Sequence, residues 1–201
     1  EGAGAEPNGA WRAIFWRFKI EDAWTVPAVE LARGEPRQTT LLVADAGRRS
    51  AAAQAERLLA QGRRVLAVDP FYFGESNIGS RDWLFALLVA AVGERPLGIQ
   101  AGQLAAVARW SQAQYGAGPV SLAAVGPRSS LIALVAAGLE ETAIGGLELQ
   151  GTLGSLKQLL EANRSVEHAP EPFCFGLLDA FDVKHLLALA APRPVRLRAP
   201  D

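Results

Sequence analysis

One stretch of the sequence decides the fold: Pro119-Val120-Ser121-Leu122-Ala123-Ala124-Val125-Gly126-Pro127-Arg128-Ser129-Ser130. The residues before Gly126 are almost all apolar, which is typical of a strand buried on both faces. A tight turn follows at Gly126, and an apolar helix is predicted directly after it, over Leu131–Leu139. A buried strand that turns sharply into a helix indicates one unit of a parallel sheet covered by helices.

The same alternation of strands and helices continues on both sides of this stretch. Further buried strands are predicted at 40–44, 64–68, 144–149 and 195–198, and further helices at 51–61, 82–92, 101–115, 155–162 and 182–190. Before them, Trp11–Ile20 alternates apolar and polar residues, and Val26–Leu31 is predicted to be its antiparallel partner. The sequence therefore predicts an α/β fold with a mostly parallel central sheet, helices on both faces and antiparallel strands at the N-terminal edge.

The length and composition of the chain fit one domain. Half of the 201 residues are apolar, which is enough for one substantial core. Residues 1–10 are predicted to be a flexible linker, and residues 11–201 a single domain. The chain has no methionine and stops soon after its last predicted strand, so we expect an excised chain whose domain is truncated at the C-terminus.

Several function classes are excluded by composition and motifs. The net charge is −1 and there are no blocks of like charge, so the sequence predicts no nucleic-acid partner. No apolar run reaches the roughly 18 residues of a membrane span. The single cysteine, Cys174, allows neither an internal disulfide nor a cysteine metal site. The turn at 45–50 has one glycine where a dinucleotide-binding loop has three, and there is no Walker motif, so no cofactor or metal is predicted.

Three segments carry a resemblance to a known family. The segment Asp69-Pro70-Phe71-Tyr72-Phe73-Gly74-Glu75-Ser76 resembles the Asp-x-x-Gly-x-Gly-x-Ser segment of α/β-hydrolases, and Val125–Ser130 lies where that fold has its nucleophile elbow. The segment Phe181–Val195, with Ala191-Pro192-Arg193-Pro194, resembles the entry to the penultimate strand of acetyl-xylan-esterase-like hydrolases. The resemblance spans about residues 40 to 200. It implies an α/β-hydrolase fold, carbohydrate-esterase chemistry and a secreted or periplasmic protein.

The elbow departs from the family pattern at the nucleophile. The family has Gly-x-Ser-x-Gly, and alignment of Gly126 with the first glycine puts Arg128 at the nucleophile position. Arginine stays protonated and is not a nucleophile. Ser129 and Ser130 are the alternative candidates, although both are placed to cap the first turn of the following helix.

The histidine of a catalytic triad is also missing from the place where the family has it. In this family the acid follows the penultimate strand, which points to Asp201 or a residue beyond it, and the histidine comes later still. His168 is predicted on a loop and His185 on a helix, and neither is where the family has its base. For both histidines a surface or hydrogen-bonding role is the better interpretation.

Three arginines form a candidate anion site instead. Arg48, Arg49 and Arg128 are predicted near helix N-termini at one edge of the sheet, where guanidinium groups and helix dipoles favour a uronate or another carboxylate. Under the alternative interpretation, Arg128 pairs with a nearby carboxylate and locks the loops together; the candidate partners are Asp45, Asp69 and Glu75.

These observations leave three functions. The first is a catalytically degenerate α/β-hydrolase-like domain that serves as a structural or binding module beside a sister domain or protein partner, with a carboxylate or sugar as possible ligand. The second is an active serine carboxylesterase, similar to acetyl xylan esterases, that residues outside this chain complete. The third is an anion-binding module. Aromatic residues at 71–73 fit sugar stacking or core packing, and the apolar helix at 84–92 indicates a partner surface.

Overall fold

Eight strands form one sheet in the computed structural model, which describes residues 2–8, 11–79 and 82–199. In chain order the strands are β1 (Gly2–Asn8), β2 (Trp11–Ile20), β3 (Trp24–Ala32), β4 (Thr39–Ala44), β5 (Arg64–Val68), β6 (Val120–Val125), β7 (Ile144–Gln150) and β8 (Val195–Arg198). Across the sheet they lie in the order β1-β2-β3-β5-β4-β6-β7-β8.

The sheet is parallel from β5 to β8 and antiparallel from β1 to β3. The strands β5, β4, β6, β7 and β8 run parallel to one another, whereas β3 pairs antiparallel with both β2 and β5. This arrangement confirms the predicted mostly parallel sheet with antiparallel strands at the N-terminal edge. All residues of β4 and β5 are buried, as expected for strands covered on both faces.

Helices cover both faces of the sheet. They are α1 (Ala52–Ala60), α2 (Asp82–Ala91), α3 (Pro96–Tyr115), α4 (Pro127–Leu139), α5 (Lys157–Glu161), α6 (Leu177–Ala180) and α7 (Val183–Ala190). Successive side chains of a strand point to opposite faces. Leu41 and Val43 therefore join the core formed with α3 and α4, while Leu42 and Ala44 join a smaller core under α1.

The structure differs from the predictions at a few element ends. Residues 2–8 of the predicted linker form β1, which pairs antiparallel with β2 although Pro7, opposite Arg12, has no main-chain N–H to donate. Helix α3 begins at Pro96 instead of residue 101, because proline is well suited to the first turn of a helix. In the described part of the chain no single helix has the length and apolar character of a membrane span; α2 and α3 meet that criterion only as a pair bent by 93°.

Candidate functional site

The elbow between β6 and α4 has the sharp geometry that the sequence predicts. Strand β6 ends at Val125, and α4 begins at Pro127 with Gly126 between them at φ 108° and ψ 163°. A Cβ atom at Gly126 would lie 2.3 Å from the Asp45 Cγ, so glycine is required both for the backbone angle and for the approach of this carboxylate. The side chain presented two residues into the turn is Arg128.

The N-terminus of α4 is capped by Asp45, which follows the neighbouring strand β4. The Arg128 N–H donates to the Asp45 Oδ2 at 3.1 Å, and the Ser129 N–H donates to the Asp45 Oδ1 at 2.7 Å. Burial raises the pKa of Asp45, although hydrogen bonds from Ser129 and Arg128 oppose that shift. The predicted caps, Ser129 and Ser130, make no such side-chain bond, because a carboxylate from another element occupies the first turn.

The Arg128 guanidinium is held by a carboxylate in a two-point ion pair. Its Nε donates to the Glu171 Oε2 and its Nη2 to the Glu171 Oε1, both at 2.7 Å. The side chains of Arg128 and Glu171 are 16% and 0% exposed. Gln100 donates from Nε2 to the Glu171 Oε1 at 2.9 Å and to the Phe71 carbonyl at 2.8 Å. The parallel fork of bonds fixes both the position and the orientation of the guanidinium.

An aromatic ring supports the same arginine. The Arg128 Cζ lies 4.5 Å from the centroid of the fully buried Phe73 ring, a distance at which a cation is attracted to the ring face. Tyr72, the residue before Phe73, has a φ of 69°, which is unusual for a bulky residue. The Arg128 guanidinium of the elbow therefore contacts both the loop after β5 and the segment around Glu171.

Glu171 is the residue that the sequence analysis missed. It lies on a short 3-10 helix, Glu171–Phe173, in a stretch where the sequence predicts only loop. It is 43 residues from Arg128 along the chain, and no periodic pattern marks a buried carboxylate between two prolines. The partners considered for Arg128 were Asp45, Asp69 and Glu75; of these, Asp45 binds its main-chain N–H.

Asp69 and Glu75 bind the first of the other two arginines. The Arg48 N–H donates to the Asp69 Oδ1 at 2.7 Å, and its guanidinium contacts both the Asp69 carboxylate and the Glu75 Oε2, the latter at 2.7 Å. Arg49 is largely exposed and reaches the Glu75 Oε1 at 3.2 Å. Hydrogen bonding from Arg48 lowers the pKa of Glu75 in spite of partial burial.

The three predicted anion-binding arginines are therefore each countered by a carboxylate of the chain. Arg128 pairs with Glu171, Arg48 with Asp69 and Glu75, and Arg49 with Glu75. This arrangement favours the interpretation in which the arginines lock the loops. A ligand carboxylate at this edge stays a prediction.

The candidate nucleophiles and bases do not meet at the elbow. Ser129 and Ser130 are both 0% exposed, and the Ser130 Oγ is 3.5 Å from the Gln150 carbonyl oxygen. His168 is exposed, and the exposed His185 accepts the Asp182 N–H on Nδ1 at 2.9 Å as part of the capping box of α7. Asp201 lies outside the described residues. In the described ranges, no group of three or more His, Cys, Asp or Glu side chains is arranged to hold a metal ion.

A mixed sheet in this strand order, with a sharp elbow from its central strand β6 into a buried helix, defines a protein with the α/β-hydrolase fold. Comparison with solved structures agrees. A proposed acetyl xylan esterase from Bacteroides fragilis is similar to this chain with a TM-score of 0.82 and 16% identity, over 99% of this chain and 62% of the other. An acetyl xylan esterase from Paenibacillus sp. R4 has a TM-score of 0.64 and 10% identity, over 100% of this chain and 81% of the other.

A third similar structure is a cold-adapted esterase from an Arctic intertidal metagenomic library, with a TM-score of 0.64 and 15% identity over 99% of this chain and 89% of the other. No protein-family model matches the chain, and no curated protein matches it. The chain spans 62% of the length of the Bacteroides protein. At these identities the likeness establishes the fold and leaves the activity to be argued from the site.

Proposed function

We propose that this chain is a catalytically silent α/β-hydrolase-like domain, carbohydrate-esterase-like in its fold, that serves as a structural or binding module in a larger protein or assembly. One observation carries the proposal: the ion pair of Arg128 and Glu171 fills the nucleophile position of the elbow. A serine esterase needs at that position a hydroxyl that a neighbouring base deprotonates.

The chemistry of the pair opposes acyl transfer. A guanidinium stays protonated at every working pH, so Arg128 offers no lone pair to an ester carbonyl. The neighbouring hydroxyls, Ser129 and Ser130, are fully buried, and both histidines are engaged or exposed elsewhere. In the described part of the chain neither serine is hydrogen-bonded to a histidine, and the carboxylate beside Ser129, Asp45, accepts main-chain N–H groups of the first turn of α4.

The same pair supports a structural role for the domain. Arg128 joins the elbow to Glu171, and its guanidinium lies over Phe73 of the loop after β5. In a hydrolase the loops at this edge of the sheet surround the catalytic residues. Here the elbow and the segment around Glu171 are joined to each other by a buried ion pair. The arrangement stabilises a closed edge of the sheet instead of an open reaction site.

An apolar surface on α2 supports the assembly part of the proposal. Leu87, Leu88 and Val92 are 48%, 59% and 79% exposed, and no charged residue lies between Asp82 and Glu94. An exposed apolar helix face of this kind is typical of a surface that another domain or protein covers. The sister domain or protein partner is therefore proposed to bind at α2.

The test of silence is covalent labelling of the longest native form of the protein. The protein is treated with a fluorophosphonate serine probe and with p-nitrophenyl acetate, next to an active serine esterase as the positive control. We expect no adduct within this chain and hydrolysis at the rate of buffer alone. An adduct on Ser129, Ser130 or Ser76 that disappears in the matching Ser→Ala variant overturns the proposal and supports the alternative, an active serine esterase completed by residues outside this chain.

A further inference from the structure

Four guanidinium groups converge on one carboxylate at the β8 edge of the sheet. Glu148 on β7 lies opposite Arg196 on β8, the last strand of the sheet. The two oxygen atoms of this carboxylate lie 2.8–4.0 Å from nitrogen atoms of four different arginines. The group is called the Glu148 cluster here, and its members are Arg57 of α1, Arg63 just before β5, Glu148, Arg196 and Arg198.

The Glu148 cluster holds more positive charge than its carboxylate neutralises. Four guanidinium groups face one carboxylate, and among the described residues no other carboxylate lies within 4.0 Å of any of the four. Glu56, which follows one of these arginines' neighbours on α1, lines a cavity on the β2–β3 side of that helix instead. Burial opposes the charge of Glu148, but hydrogen bonding from Arg57 and the nearby guanidinium charges lower its pKa. The cluster therefore has a formal excess of three positive charges at neutral pH.

The two outer arginines of the cluster have hydrogen-bond donors to spare. Arg57 donates to the Glu148 Oε2 at 2.8 Å. Arg196 and Arg198 approach the same carboxylate only to 4.0 Å and 3.7 Å, which is too far for a hydrogen bond. Within the described ranges neither of these two guanidinium groups donates a hydrogen bond to another residue, and their side chains are 69% and 45% exposed. Their N–H groups are therefore accessible to a ligand from solvent.

Strand geometry directs both outer arginines to one place. Arg196 and Arg198 are two residues apart in β8, so their side chains point to the same face of the sheet. Glu148 is on that face too, and Arg57 reaches it from α1. The guanidinium groups therefore converge on one point instead of forming a row along the surface.

A compact anion with several oxygen atoms fits this arrangement. The planar guanidinium group binds two oxygen atoms of a phosphate at once through parallel N–H groups. A phosphate monoester has about 1.5 to 2 negative charges at pH 7 and three terminal oxygen atoms, so one such group can meet more than one arginine. A carboxylate has one charge and two oxygen atoms. An acidic peptide segment presents its carboxylates in a row, which suits arginines that are spread out.

We propose that the solvent side of the Glu148 cluster binds the phosphoryl group of a phosphate monoester, with Arg196 and Arg198 as its hydrogen-bond donors. A phosphorylated small molecule and a phosphorylated side chain of a partner protein present the same group. The site goes beyond the proposed function, because it does not depend on whether the elbow is silent. Fluorophosphonate labelling reports on serine hydroxyls and phosphate binding reports on the cluster, so the two proposals fail separately.

The test is titration of the full chain at constant ionic strength, followed by calorimetry and phosphorus NMR. The two probes are glycerol 3-phosphate and a short peptide with one phosphoserine between neutral residues. We expect at least one of them to bind with a Kd below about 1 mM at pH 7.5, and acetate to bind at least about tenfold more weakly. Equal affinities for the two probes indicate a phosphorylated small molecule, whereas tighter binding of the peptide indicates a phosphorylated partner protein.

A double variant tests the two donors. Arg196→Gln/Arg198→Gln removes both outer guanidinium groups and leaves the inner ion pair, so it should fold and yet bind the tighter probe at least about tenfold more weakly. Arg33→Gln/Lys184→Gln is the matched control, because it removes the same total charge from two exposed positions outside the cluster. The control should bind as the wild type does.

The pH profile separates recognition of a phosphoryl group from attraction of any anion. The second pKa of a phosphate monoester is about 6, whereas the arginines stay protonated and the pKa of Glu148 lies below its ordinary value. Affinity should therefore fall as the pH is lowered from 7.5 to 5. The proposal is overturned if neither probe binds more tightly than acetate, if the Arg196→Gln/Arg198→Gln variant binds as the wild type does, or if affinity does not change with pH. Equal binding of a peptide with glutamate in place of phosphoserine overturns it too, because the cluster then recognises an acidic segment.

Discussion

Arg128 and Glu171 form a buried ion pair whose loss should destabilise the whole domain. Replacing Arg128 with Met leaves the fully buried Glu171 carboxylate without its cation, and breaking a buried pair in this way costs roughly 3–5 kcal/mol. We expect Arg128→Met to lower the free energy of unfolding by about 3 kcal/mol at pH 7. Urea denaturation followed by tryptophan fluorescence measures the difference.

Two comparisons make this measurement specific to the buried pair. The double variant Arg128→Met/Glu171→Gln removes both charges and keeps a partner for Gln100, so it should recover more than half of the lost stability. The exposed pair of Arg49 and Glu75 is the matched control, and Arg49→Gln should change stability by less than about 1 kcal/mol. A loss in Arg128→Met as small as in Arg49→Gln contradicts the locking role of the pair.

At the scale of single residues, the sequence predicts Arg128 of this ion pair but not Glu171. Arg128 is identified because the elbow has a fixed spacing from Gly126, which is a local property of the chain. Glu171 is not identified, since it reaches the elbow from a loop whose path depends on the packing of α4 and α3. The spacing of a motif is local information, and the partner of a buried charge is tertiary information.

At the scale of elements, the hydrophobic pattern predicts the interior of each element better than its ends. The predicted strands β2, β5 and β8 have the bounds that the structure shows, since their alternation or burial ends abruptly at turn residues. Helix α4 begins at Pro127, four residues before the predicted start, because Asp45, at the end of the neighbouring strand β4, accepts hydrogen bonds from its first N–H groups. A cap supplied by another element leaves no signal in the helix's own sequence.

The turn between α4 and β7 should control acid stability through Glu140. Burial opposes the charge of this carboxylate, but hydrogen bonds from the Ala143 N–H, the Arg109 guanidinium and Thr142 prevail and lower its pKa to about 2. Because the folded-state pKa is below the unfolded value, the stability that Glu140 contributes is complete above about pH 4.5 and is lost as the pH falls towards 2. Arg109 is 58% exposed, so we discount the contribution to about 2 kcal/mol.

The measurement is the free energy of unfolding from pH 7 down to pH 2 for the wild type and Glu140→Gln. The variant should be less stable by about 2 kcal/mol at pH 7, and the two curves should converge as the pH falls below about 4.5. Arg109→Gln removes only the exposed guanidinium and leaves the bonds from Thr142 and Ala143, so it should show a smaller part of the same pH dependence. Parallel curves for Glu140→Gln and the wild type would show that another group dominates this pH range.

At the scale of the whole molecule, alternation of strands and helices predicts the class of fold but not the order of the strands. Strand β5 lies between β3 and β4, and β1 extends the sheet beyond β2. These neighbours are selected by packing against α1 on one face and against α3 and α4 on the other. A strand buried on both faces has an apolar sequence wherever it lies in the sheet, so its sequence does not indicate which strands lie beside it.

Glu148 ties early and late parts of the chain together on the α1 face of the sheet. Its carboxylate, only 7% exposed, is 2.8 Å from Arg57, 3.5 Å from Arg63, 4.0 Å from Arg196 and 3.7 Å from Arg198. Burial opposes the negative charge, but these arginines, Arg57 foremost, lower the pKa of Glu148. One carboxylate therefore holds α1 and the start of β5 against the edge strand β8.

Replacing Glu148 with Gln should leave four guanidinium groups facing one another without an anion. We expect a loss of roughly 2–4 kcal/mol in the free energy of unfolding at low salt, because the central partner of a buried charge cluster is removed. Since 1 M salt shortens the screening length to about 3 Å, it should restore part of the loss in Glu148→Gln and have little effect on the wild type. Arg196→Gln removes only a distant, 69% exposed member of the cluster and should cost less than about 1 kcal/mol. Denaturation at low and high salt separates the two outcomes: a Glu148→Gln deficit that salt does not reduce would show that packing of the side chain, and not its charge, joins α1 and the start of β5 to β8.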